Sequence, residues 1–176
     1  MIMLNEKEKM LLEEEKKHEQ LCIDKYNEYV NKASDVELKN LFGSLSQKEQ
    51  QHLQSINQML SGTVPNVNSG SSGGQSQSSQ SGKGQSSDAQ MKQSQSSNSM
   101  SSSSASNENS TQTLNSDKML CEDTLSTEKY VSSTYNTAIF EFRDTNVRQV
   151  LNHIQKEEQE HGEAIYNYMN SHGIYN

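Results

Sequence analysis

The sequence predicts an all-α fold, a four-helix bundle built from two repeated helical hairpins joined by a long disordered crossover. Three observations predict it. Apolar residues recur every three or four positions in four separate stretches, each about 25 residues long. One proline and no tryptophan in 176 residues leave too few turn signals for a sandwich or barrel, since glycine and serine gather mainly in the middle. The outer segments also repeat each other at a constant offset of 109 residues without gaps.

The first helix opens at Asn5, with Glu8 three residues later as its capping-box partner, and runs to about Lys32. Its apolar stripe is Leu11, Leu12, Cys22, Tyr26 and Val30. Ser34 with Glu37 repeats the start signal for the second helix, whose stripe is Leu38, Leu41, Phe42, Leu45, Ile56 and Met59 and whose stop is Gly62. From Gly62 to Leu114 the composition changes to a Ser/Gln/Gly/Asn tract with scattered apolar residues, which cannot offset its ordering entropy by burial and is expected to be disordered. Asp117 is expected to cap the third helix and Asp144 the fourth, with Gly173 closing the last. The third stripe is Cys121, Leu125, Val131, Tyr135, Ala138, Ile139 and Phe142. The fourth is Val147, Val150, Leu151, Ile154, Ile165, Tyr168 and Met169. The expected boundaries are therefore 1–61 for the first hairpin, 62–115 for the linker and 116–176 for the second hairpin.

Composition bounds the function. Only 30% of residues are hydrophobic, against roughly 45–50% in globular chains when glycine is included, and the tract accounts for part of the deficit. Within it Lys83 and Lys92 balance Asp88 and Glu108, so the whole net charge of −8 belongs to the helical flanks. That charge disfavours nucleic acid and anionic membranes as partners. No apolar run is long enough to insert in a membrane. The start, MIMLNEKEKM, has no signal-peptide pattern, so synthesis in the cytoplasm without a signal peptide is expected. Two cysteines on core stripes of neighbouring helices, Cys22 and Cys121, read as buried thiols rather than a disulfide.

Each apolar stripe is interrupted where burial is required. Glu19 interrupts the first, Glu49 and His52 the second, Glu128 the third, Glu158 and His161 the fourth. Glu19 and Glu49 are centred on Ser34, and Glu128 and Glu158 on Arg143, so each pair meets at one height, about 22 Å from its turn at ~1.5 Å per residue. Glu-x-x-His puts both side chains on one helical face. Four inward carboxylates are costly unless partnered. A pair of divalent cations, bridged by carboxylates and ended by histidines, is one partner. A network of carboxylates, histidines and water is the other. Glu15-x-x-His18, whose repeat counterparts are Thr124 and Thr127, reads as a chance occurrence of the same motif. His18, His153 and His172 are expected to face solvent, as are Glu13, Glu14, Glu157 and Glu160.

One glutamate from each of two helices plus Glu-x-x-His from each of two others is similar to the ligand set of ferritin-like di-iron carboxylate proteins. Asn40 to His52, NLFGSLSQKEQQH, resembles the second helix of rubrerythrins. The spacing from Glu19 to Tyr26 and from Glu128 to Tyr135 is similar to that of ferritin-like first and third helices. The resemblance implies a ferritin-like bundle with Glu19, Glu49, His52, Glu128, Glu158 and His161 as ligands of two iron or manganese ions. Tyr26 and Tyr135 would be either donors to the carboxylates or core aromatics.

Met119 to Tyr175 resembles the spore-coat protein F (Coat F) family of endospore-forming bacteria, through its SxYN start, its EEQEHGEAIYNYM run and its HGxY end. The first hairpin resembles a second copy of that module. The resemblance implies a structural and protective component of the spore coat or spore surface, in contact with other coat proteins or further copies of itself. The alternative is a rubrerythrin-like di-iron oxidase or peroxidase acting on oxygen or hydrogen peroxide. Rubrerythrins carry an attached rubredoxin with four cysteines that is missing here, so turnover would need an external electron donor. The tract is long enough to cross the bundle, with a reach of about 40 Å at ~5–6 Å × √n, and its Ser/Gln composition also suits weak multivalent adhesion.

Overall fold

The computed structural model describes residues 2–66 and 105–175, with the side chains of the third helix described from residue 112 onward. Four helices form: α1 (Glu6–Lys32), α2 (Val36–Leu60), α3 (Ala105–Glu141) and α4 (Thr145–Ser171), with no strand among the described residues. None of these helices is long and apolar enough to cross a membrane.

Local chemistry explains most of the ends. The Asn5 side chain accepts from the Glu8 amide at 2.9 Å, and Glu8 accepts in return from the Asn5 amide at 2.8 Å, completing the expected capping box. Asp144 caps α4 by accepting from the amides of Asn146 and Val147. Gly62 and Gly173 end α2 and α4 at φ 90° and 65°, where a side chain would be strained.

Two boundaries differ from expectation. The N-cap of α2 is Asp35, not Ser34, because the Asp35 carboxylate reaches the Glu37 amide at 2.8 Å. Asp117 caps no end of its own helix. It lies inside α3, buried, and its two carboxylate oxygens accept from the amides of Ser34 and Asp35 at 2.8 and 3.0 Å, holding the α1–α2 turn. Helix α3 consequently starts at Ala105, inside the stretch expected as linker, and its first three turns run past that turn. The remainder of the expected disordered crossover, 67–104, lies outside the described residues.

Helix α1 packs on α2 and α3, and α4 on α3 and α2. Cross-helix contacts fix the directions. Glu8 meets Arg143, Glu15 meets Thr134 and Lys25 meets Thr127, so α1 and α3 are antiparallel. Lys48 meets Glu157 and Asp35 meets Tyr168, so α2 and α4 are antiparallel too. The end of α2 and the start of α3 consequently lie at opposite ends of the bundle, as a full-length crossover requires. The core is the expected set of stripes, with Leu12, Tyr26, Leu38, Phe42, Ile56, Val131, Tyr135, Leu151, Ile154 and Ile165 all buried. Ile23, outside the expected stripe, is buried as well. Cys22 and Cys121 are buried free thiols.

Candidate metal centre

Halfway along the bundle the core turns polar. Glu19, Glu49, His52, Glu128, Glu158 and His161 are each at most 4% exposed. They form two overlapping groups, Glu19–Glu49–His52–Glu158 and Glu49–Glu128–Glu158–His161, within each of which one donor atom per residue lies within 4.8 Å of all the others. Glu49 and Glu158 belong to both. The geometry is therefore that of two adjacent sites sharing two carboxylates, each completed by one further glutamate and one histidine.

The repeat makes the cluster nearly two-fold. His52 Nδ1 lies 2.9 Å from Glu158 Oε1, and His161 Nδ1 lies 2.9 Å from Glu49 Oε1. Tyr26 donates its hydroxyl to Glu128 Oε1, and Tyr135 donates to Glu19 Oε1, each tyrosine reaching a glutamate on the neighbouring helix. The two imidazoles stack, with centroids 5.5 Å apart. Both tyrosines are thus core aromatics and carboxylate donors at once.

Hydrogen bonding leaves the cluster incomplete. Glu19 Oε2, Glu49 Oε1, Glu128 Oε2, both Glu158 oxygens and His161 Nδ1 are buried without a hydrogen-bond partner among the described residues. The short approach of His161 Nδ1 to Glu49 lies off the angle a hydrogen bond needs. A buried carboxylate oxygen without a partner is expensive, and here the orphaned atoms converge on one volume. Oxygen and imidazole donors suit iron or manganese, and sharing of carboxylates between two ions is the usual use of such a set. The residues fit a pair of divalent cations.

Charge is distributed accordingly. Burial pushes the Glu19 carboxyl up to about 8, only partly relieved by His52. Burial and the neighbouring Glu49 charge push Glu158 well above the carboxylate range. Burial acts the same way on Glu49, but the close approach of the His161 ring and the hydrogen bond and charge of His52 outweigh it and hold that carboxyl near about 2. Burial opposes charge on the imidazoles; surrounding carboxylates nevertheless raise His161 to about 9 and His52 well above its ordinary value. Protons on the imidazoles and on part of the glutamates take the place that cations could occupy.

Two acidic residues were misjudged from sequence. Glu157, expected as solvated surface, accepts at Oε2 from His52 Nε2 at 3.0 Å and pairs with Lys48 and His153. It leaves the other ring nitrogen of His52 facing the cluster. The signal lay in the repeat, where Glu157 corresponds to Lys48 and so breaks the symmetry beside a ligand-type residue. Glu15 and His18 are not a chance pair on the surface. Glu15 is buried one turn before Glu19, its Oε2 accepting from Thr134 at 2.8 Å and lying 3.2 Å from His18 Nδ1. The ring of His18 packs edge-on against Tyr130, His172 stacks on Tyr168 and meets Asp35 at 3.2 Å, and the half-buried His153 meets Glu157 at 3.3 Å, so none of the three is simply solvated.

No curated protein and no solved structure matches the chain. Residues 116–176, comprising most of α3 and all of α4, match the family model described as the Coat F domain. That second hairpin, which supplies Glu128, Glu158 and His161, is thus similar to the Coat F domain.

Proposed function

We propose that the protein is a spore-coat component, structural and protective in role, whose ferritin-like bundle holds two iron or manganese ions between its hairpins. The family match supports the coat assignment. The observation that carries the metal reading is the convergence of orphaned carboxylate oxygens on one buried volume. Bound there, the ions would neutralise the carboxylates and, if iron, could exchange electrons. Glu49 and Glu158 would bridge, Glu19 with His52 and Glu128 with His161 would complete the two sides, and Tyr26 and Tyr135 would orient the outer carboxylates by hydrogen bonding. Glu157 would hold the Nε2 proton of His52 and leave Nδ1 as the donor atom. Because α1 and α2 supply three of these residues and α3 and α4 the other three, the ions would cross-link the hairpins.

Other coat proteins, or further copies of this chain, are the partners such a role requires. Fractionation of mature spores tests it: the protein should be recovered in the coat extract, and recovery from the core alone would overturn the assignment. A rubrerythrin-like oxidase or peroxidase is the second reading, favoured by the two tyrosine hydroxyls bonded to outer carboxylates. It predicts sustained oxygen or peroxide consumption by iron-loaded protein given an external electron donor. Consumption that stops once the bound iron is oxidised would exclude it.

A further inference from the structure

A cleft of about 600 Å³ lies between α3 and α4, and Glu128 and Glu158, two of the six inward groups, line it. Its other walls include Ser132, Ser133, Asn136 and Gln159, with Leu125 and Gly162 beside them. The repeat supplies an internal comparison, because every one of these positions has a counterpart between α1 and α2. Opposite Ser132 stands Ile23, which is buried at 6% exposure, and opposite Gly162 stands Leu53, which is half-buried. Opposite Gln155 stands Ser46, also buried, whose hydroxyl donates to Asn27 at 2.8 Å and ties α2 to α1. Two bulky aliphatic side chains therefore occupy, in the first hairpin, positions held by a hydroxymethyl group and a hydrogen atom in the second.

Resting on the metal reading above, we infer that the α3–α4 cleft is the entrance by which a hydrated divalent cation reaches the carboxylate cluster. A hard cation sheds water only against replacement oxygen donors. Hydroxyls and side-chain amides along the walls offer them, and the lining includes Glu128 and Glu158, which carry buried oxygens without a hydrogen-bond partner. The net charge of −8 raises the local concentration of cations. Lys129, the cation of the rim, is exposed on a long side chain that can extend into solvent. The absence of a side chain at Gly162 has a physical purpose on this view, since glycine inside a helix is otherwise unfavourable by about 1 kcal/mol relative to alanine.

The test installs the first hairpin's residues in the second. Gly162→Leu should fold, because its Cβ would meet only Leu125 Cδ1, at an ordinary 3.6 Å, and leucine favours a helix. Ser132→Ile in the same chain completes the plug. Stopped-flow mixing with cobalt(II), followed by visible absorbance, should show the plugged protein loading about tenfold or more slowly than the wild type, to the same final stoichiometry. The single variant Gly162→Leu should be intermediate, and circular dichroism reports that each is folded. Equal loading rates in folded variants would overturn the entrance while leaving the metal site standing. Failure of the wild type to bind cobalt would overturn the site and the entrance together.

Discussion

Glu19 and His161 have folded-state values of about 8 and about 9, both above their ordinary values of 4.5 and 6.5. Burial causes the first, and surrounding carboxylates working against burial cause the second. Groups raised on folding stabilise fully below their unfolded values and lose that contribution as pH rises through the folded ones. The metal-free protein should therefore lose thermal stability between about pH 4.5 and 9, the window those two shifts define. Glu49 and Glu157, both held near about 2, act oppositely and weaken the fold only as pH falls below the ordinary carboxylate range. Adding manganese(II) should abolish the alkaline loss, because the ion displaces the protons; an identical pH profile with and without metal would contradict this. Glu157→Gln, which weakens the hold on His52 Nε2, should lower cation affinity about 10–100-fold and, because it removes an ionised carboxylate paired with His52 and Lys48, lower the metal-free melting temperature as well, as titration and calorimetry would show. At this scale the six inward residues were legible because each replaces an apolar residue in a stripe. Glu157 and Glu15 were not, since their partners, His52 and Thr134, come from other helices and no single-helix period reports them.

Helices were legible through the same periodicity, whereas the antiparallel pairing of α1 with α3 is fixed by contacts between the hairpins. What sequence missed was where a helix begins when its start is marked by no cap. Asp117 reads locally as a capping residue, but its carboxylate bonds a turn 82 residues away. Its repeat counterpart, Glu8, does the same in reverse, accepting from the Arg143 amide at 3.0 Å and from the Arg143 guanidinium. Each hairpin's turn is thus clamped by a buried carboxylate from the other hairpin. Asp117→Ala removes both bonds to the α1–α2 turn and should cost about 2–4 kcal/mol, at ~1.5–3 kcal/mol for hydrogen bonds to a charged group with partial compensation by water. Chemical denaturation measures it; a loss below about 0.5 kcal/mol would mean the clamp is incidental.

Taken whole, the molecule is one hairpin used twice, with departures from symmetry at Glu157/Lys48, Ser132/Ile23 and Gly162/Leu53. Neither hairpin buries its own apolar face completely, and each lacks half of the polar cluster. A fragment spanning residues 105–176 should accordingly be helical only as a dimer that rebuilds the bundle, with a melting temperature that rises with concentration. A stable helical monomer in sedimentation equilibrium would contradict the view that the hairpins are mutually dependent. The central claim is that the buried cluster is a cation site and not merely a proton-sharing network. Elemental analysis after anaerobic loading with iron(II) and desalting addresses it most directly. The account predicts two ions per chain in the wild type and loss of binding in Glu49→Gln/Glu158→Gln, which removes both shared carboxylates. Wild-type protein emerging without metal, or the double variant retaining two ions, would contradict it.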